Sequence, residues 1–225
     1  MLIATLSLPE QVVLMLAALI LLSSFLMLAQ VRLDSMINTF ALQGLLLFFA
    51  TLIMALISGK YQLLISAALT LFLKVFFIPN KLRGLVVRLD INREIESITN
   101  PSLIMLFAAS LVLFSYYVAL PIRALSLLAT RNTIAISLAV VLIGMLMIIS
   151  RRKAVTQVVG FMSMENGLFF AAVVATCGMP MVVELGIAFD VLVAAILFGV
   201  FFFHIRTEIG SLDTDRLNHL TEVEK

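Results

Sequence analysis

Seven long apolar runs, each broken from the next by a short polar stretch, set the architecture of this chain: residues 11–29, 39–57, 61–78, 102–120, 133–150, 154–177 and 181–205. Each run is near the length of about 20 residues that a helix needs to cross a hydrocarbon core of about 30 Å. Lipid offers no partners to backbone amides, so the spans are predicted to be α-helices. The breaks at Ser58-Gly59-Lys60 and Cys177-Gly178-Met179-Pro180 are short enough to force antiparallel neighbours. The predicted fold is an all-α polytopic membrane protein with seven transmembrane helices. Ser7 and Glu10 have capping-box spacing around Pro9, a helix start at the membrane edge, and the N-terminal run reads as a retained first span, longer than a signal peptide and without a basic leader.

Composition agrees. The chain is 63% hydrophobic and only 12% charged, with a mean hydropathy of +1.18, which a water-soluble domain of this size does not tolerate on its surface. The formal net charge of +2 gives no reason to expect a nucleic-acid partner. One cysteine, Cys177, rules out a disulfide framework, and an iron–sulfur cluster needs more thiolates than this chain has.

Charge placement predicts orientation. Counted on alternate sides, Arg32, Lys81, Arg83, Arg88, Arg93, Arg151, Arg152, Lys153, Arg206, Arg216 and Lys225 fall on one face, against Lys60, Arg123 and Arg131 on the other. The positive-inside bias then puts the N-terminus outside and the C-terminus in the cytoplasm. Segment 81–97 mixes basic, acidic and apolar residues and reads as a cytoplasmic loop or an interfacial helix broken near Gly84. The tail 206–225 is polar.

The candidate chemistry is the set of ionisable residues inside the apolar runs. Glu165 and Asp190 lie, at about 1.5 Å per residue, roughly 18 and 21 Å from the cytoplasmic ends of their spans. A charge at the bilayer centre costs about 2.5–3.5 kcal/mol on insertion scales, so such residues face protein or water and are concentrated on ion and proton routes. Burial disfavours a charged carboxylate and a neighbouring cation favours it, and the balance makes a carboxylate a reversible proton carrier. A static ion pair or hydrogen bond between helices is the alternative. Gly160, Ser163, Gly167 and Ala171 form a small-residue stripe suited to close helix contact, and helical geometry turns Glu165 away from it. Gly186, Asp190 and Ala194 share one face. Asn166 either hydrogen-bonds Glu165 or bridges helices.

His204, on the Asp190 face near the cytoplasmic boundary, is either a proton relay or an interfacial side chain beside Phe201, Phe202 and Phe203. Lys74, five residues before Pro79, must snorkel, pair or titrate, and Pro79 is expected to kink or end its helix. No GxxxxGK[ST], HExxH, CxxC or GxGxxG motif occurs, so nucleotide hydrolysis, metallopeptidase chemistry and dinucleotide binding have no support.

The string Gly160-Phe161-Met162-Ser163-Met164-Glu165-Asn166-Gly167, then Val183-Glu184-Leu185-Gly186-Ile187-Ala188-Phe189-Asp190, then Gly210-Ser211-Leu212-Asp213, resembles the component E family of membrane proteins in hydrogenase-4-type complexes over the whole chain. The last three spans are also similar to the small K subunit of respiratory complex I. Arg151-Arg152 matches its basic turn and Asn166 an asparagine of its middle helix. The acid here is Glu165, one turn beyond the expected position near Met162, and Asp190 stands where that family has glutamate. Lys74 with Pro79 resembles the lysine-proline kink of antiporter-like subunits.

The resemblance implies an N-terminal four-helix region 1–130, a subunit-K-like region 131–205 and a cytoplasmic tail 206–225. It implies a membrane subunit of a proton-translocating complex of the group 4 [NiFe]-hydrogenase or formate hydrogenlyase type in the bacterial inner membrane. The proton path would use Glu165, Asp190, Lys74, His204 and Asn166. The chain would carry no cofactor, with the [NiFe] centre and Fe–S clusters in partner subunits, and its partners would be antiporter-like membrane subunits, a peripheral hydrogenase arm and the lipid bilayer. A subunit of a sodium/proton antiporter and a non-transporting scaffold for the peripheral arm remain as alternatives.

Overall fold

A computed structural model of the chain describes residues 8–88, 100–121, 128–176 and residue 196. The chain divides into two units, Met1–Phe189 and Asp190–Lys225. The described elements, all in the first unit, are α1 Leu8–Ala29, α2 Leu33–Ser58, α3 Tyr61–Thr70, a π-helical segment Leu71–Phe77, α4 Ile78–Arg88, α5 Pro101–Val118, α6 Leu128–Ser150 and α7 Ala154–Thr176. Among the described residues six helices are long and apolar enough to cross a membrane, with Tyr61–Val87 counting as one. The predicted seventh span, 181–205, lies outside the described residues, as do Cys177, Asp190, His204 and the tail.

Helix α2 starts at Leu33, before the run predicted from residue 39, because Leu33, Met36 and Ile37 are buried although Asp34 and Asn38 dilute the apolar pattern between them. It ends at Gly59, whose φ of 64° supplies the left-handed turn and whose N–H donates to the Ala55 carbonyl at 3.0 Å. Only glycine adopts that turn without steric cost.

The third span corrects the sequence expectation. It does not end near Pro79 but runs on through α4 to Arg88, and it is not broken at Gly84, where the helix is continuous. The strain of Pro79 is taken up on its N-terminal side. Proline cannot donate to the carbonyl four residues back and its ring crowds that carbonyl, and just upstream the ladder widens so that the Ile78 N–H donates to the Leu73 carbonyl, five residues back. Leu82, Leu85 and Val86 bury α4, whereas Lys81 and Arg83 are exposed, which is why the segment reads as a polar loop in sequence.

Helix α2 is the hub. It packs against α1, α3, the π segment, α4 and α7, while α6 packs against α1, α5 and α7. Val13, Ala17, Ile20, Leu47, Ala50, Val140, Phe170 and Val173 form the shared core. The α6–α7 hairpin is very close: a Cβ added to Gly144 would lie 2.7 Å from the Met164 backbone nitrogen, and one on Gly167 would lie 3.0 Å from the Ser137 carbonyl. Backbones reach this separation only where side chains are absent.

Candidate functional site

Near the middle of the described bundle, Lys74 of the π segment forms an ion pair with Glu165 of α7. Lys74 is 1% exposed and Glu165 5%. Lys74 therefore pairs; it does not snorkel to an interface. Its Nζ also donates to Asn166 Oδ1 at 2.7 Å and lies 5.4 Å from the centroid of the Phe169 ring, within reach of the attraction between a cation and an aromatic face.

Three features of the sequence bring the lysine there. The π segment inserts an extra residue into the turn and so re-aims the side chains around position 74, a use of π-bulges that recurs at functional sites. Gly44 on α2 lets the backbones close up, since a Cβ there would meet the Lys74 Cβ at 3.0 Å and the Lys74 carbonyl oxygen at 3.3 Å. On α7, Gly160 and Gly167 are spent on α6, which leaves Glu165, Asn166 and Phe169 to contact Lys74.

The polar contacts continue past the pair. Asn166 Nδ2 donates to Gln43 Oε1 at 3.0 Å. Gln43 Nε2 donates to Ser24 Oγ at 2.8 Å and to the Ile20 carbonyl at 3.4 Å, and Ser24 Oγ donates to the same carbonyl at 3.1 Å. Asn166, Gln43 and Ser24 have no exposed surface. A buried polar chain thus crosses α7, the π segment, α2 and α1. An unpaired amide in such a setting costs about 1–3 kcal/mol, and here each has partners on both sides.

Of the residues singled out in sequence, Lys74, Glu165 and Asn166 come together. Asn166 bridges helices through Gln43, and its oxygen faces Lys74. Asp190 and His204 fall outside the described residues. Gln43 and Ser24 were not anticipated. Gln43 carries a signal, an amide inside an apolar run directly before Gly44, but a neutral amide costs too little in lipid to stand out beside a charge.

Arg151, which reads in sequence as a topology signal, is 4% exposed. Its guanidinium donates to the Leu28 carbonyl and, at 3.4 Å, to the Gln30 carbonyl at the end of α1, where the last carbonyls of a helix lack internal partners. Burial lowers its pKa from the ordinary guanidinium value. Arg152, next to it, is exposed.

No family model matches this chain and no solved structure matches it. An uncharacterized protein of Mycobacterium tuberculosis is 35% identical over 130 residues, 58% of this chain, and the match spans only 59% of that protein. Hydrogenase-4 component E of Escherichia coli K12 is 30% identical over 183 residues, which cover 80% of this chain and 84% of that protein. The component E of Shigella flexneri gives the same figures.

Proposed function

The chain belongs to the hydrogenase-4 component E family, and from that premise we propose that it is a membrane subunit of a proton-translocating hydrogenase complex in which the Lys74–Glu165 pair is one station of the proton path. The observation that carries this reading is the burial of a lysine and a carboxylate against each other, on two helices long and apolar enough to span a membrane. A buried ion pair is poor value as a stabiliser, because desolvation of its charges consumes much of the attraction between them.

The pair acts by alternation. A proton arriving on a Glu165 carboxylate oxygen cancels the negative charge and loosens the hold on Lys74. Its departure restores the pair. Moving one charge across 100 mV is worth about 2.3 kcal/mol, so the charge state of this carboxylate matters on the scale of a membrane potential, and redox turnover in partner subunits is the proposed driver of its change. The [NiFe] centre and Fe–S clusters belong to those partners, since the lone Cys177 cannot supply a cluster's thiolates. Asp190 and His204 are further stations of the same path, and antiporter-like subunits and a peripheral arm are the neighbours, in an inner-membrane complex of the formate hydrogenlyase type.

The test is proton uptake into inside-out membrane vesicles driven by the intact complex. Glu165→Gln is expected to lower coupled uptake about tenfold, equivalent to about 1.4 kcal/mol, while hydrogen evolution with a soluble electron donor persists. Unchanged uptake removes Glu165 from the path.

A further inference from the structure

Helix α5 meets the rest of the bundle along a thin seam. Its buried residues are Ile104, Ala108 and Ser115, which share one face of the helix, and it packs on α6 and, more lightly, on α1. Beside that seam the small side chains of Ala109 and Ser110 open a groove of about 820 Å³, walled by Leu103, Phe107 and Leu113 of α5 and by Leu146 and Ile149 of α6. The two hydroxyls in it are turned onto their own helices: Ser110 Oγ donates to the Phe107 carbonyl at 2.7 Å and Ser150 Oγ to the Met147 carbonyl at 3.5 Å. The groove therefore makes no polar demand on its occupant and suits an alkyl chain.

Its length points the same way. From Leu103 to Leu113 the groove follows α5 for about 15 Å, half of a hydrocarbon core of about 30 Å. That is the depth of one leaflet and of an acyl chain, whereas a spanning helix of a partner needs a seam along the whole of α5. At the other end of α5, Tyr116 and Tyr117 are exposed, the place of side chains that anchor a helix at the lipid–water interface. The groove begins where the cations are. Ser150, the last residue of α6, lines it, and Arg151, Arg152 and Lys153 follow. Arg151 is committed to the end of α1. Arg152 is exposed and only two residues from Ser150, within about 7 Å along the chain. No carboxylate occurs in residues 100–104 or 150–153, so the mouth of the groove is positive.

We propose that this groove binds an anionic phospholipid, with one acyl chain along Leu103, Phe107 and Leu113 and the phosphate held by the Arg152 guanidinium. The forked donors of a guanidinium match the oxygens of a phosphate, and a basic site between membrane helices is a recurring place for an anionic headgroup. The positive-inside bias assigns the lipid to the cytoplasmic leaflet. A zwitterionic lipid fills the apolar groove equally well, but its own ammonium competes for the phosphate, so selectivity rests on Arg152. The site shares no residue with the Lys74–Glu165 pair and stands whether or not that pair carries protons.

The chain has no tryptophan, so Phe107→Trp places a single fluorophore in the groove, and Leu113→Trp serves if that variant does not fold. The full chain is reconstituted in phosphatidylcholine bilayers containing brominated phosphatidylglycerol or, at the same mole fraction, brominated phosphatidylcholine, whose acyl-chain bromines quench on contact. Phosphatidylglycerol is expected to bind at Phe107→Trp about fivefold more tightly than phosphatidylcholine, the scale of one basic side chain at an anionic headgroup. Adding Arg152→Ala should bring that ratio close to one, and Arg152→Lys, which keeps the charge, should retain most of it. Leu22→Trp, exposed on α1 and about 10 Å from the end of its helix as Phe107 is from the start of α5, reports the surrounding lipid and should show no preference. Equal quenching by the two lipids at Phe107→Trp, the same preference at Leu22→Trp, or a preference that survives Arg152→Ala overturns the site. Quenching by neither lipid overturns it in favour of a protein surface or a second copy of the chain seated in the groove.

Discussion

Lys74 and Glu165 stand 91 positions apart in the chain and meet as a buried ion pair. Removing one partner leaves the other uncompensated, at a cost of about 3–5 kcal/mol, whereas replacing both by apolar residues of similar volume is often close to neutral. Lys74→Met and Glu165→Leu are each expected to destabilise by about that amount, and the double variant to recover most of it. Reversible unfolding in mixed micelles checks this as a double-mutant cycle; additive losses would sink the pairing.

Phe169 supplies a ring face to Lys74. Phe169→Leu keeps an apolar side chain at this buried position and is expected to cost about 1 kcal/mol from the lost cation–aromatic attraction. That increment should vanish when the same change is made in Lys74→Met. A loss of equal size in both backgrounds would assign the effect to packing alone.

Two glycines should behave in opposite ways. At Gly144 a Cβ meets the Met164 backbone at 2.7 Å, so Gly144→Ala must push α6 and α7 apart and is expected to cost about 1–3 kcal/mol, the usual range for overpacking. At Gly84 nothing lies within 4 Å, and Gly84→Ala should stabilise α4 by up to about 1 kcal/mol through helix propensity. Melting temperatures in detergent, compared for the two variants, give the sign directly.

Arg151 ties the α6–α7 turn to the end of α1. Arg151→Ala is expected to lose about 1.5–3 kcal/mol, the scale of a hydrogen bond to a charged group. Arg152→Ala, at an exposed neighbouring position, should stay within about 0.5 kcal/mol. Equal losses in the two would return Arg151 to a charge that orients the chain and nothing more.

The apolar runs alone put the chain in a membrane and make it cross as helices, because hydrocarbon leaves backbone groups no other partners. Lys74 and Glu165 stand out in sequence as residues needing a partner, because an ionised group in lipid is costly wherever its helix points. The small-residue stripe on α7 is equally legible, since helical period fixes which residues share a face. Who meets whom emerges only from the packed helices. Which helix faces Glu165 depends on how the spans rotate and associate. The register of Lys74 depends on a π segment that adds a residue to its turn, which an ideal helical period cannot foresee. Gln43 and Ser24 stayed hidden for the same reason: a neutral amide or hydroxyl inside an apolar run costs little by itself, and it acquires direction and meaning only when the lysine at one end and the Ile20 carbonyl at the other fix the order of its hydrogen bonds.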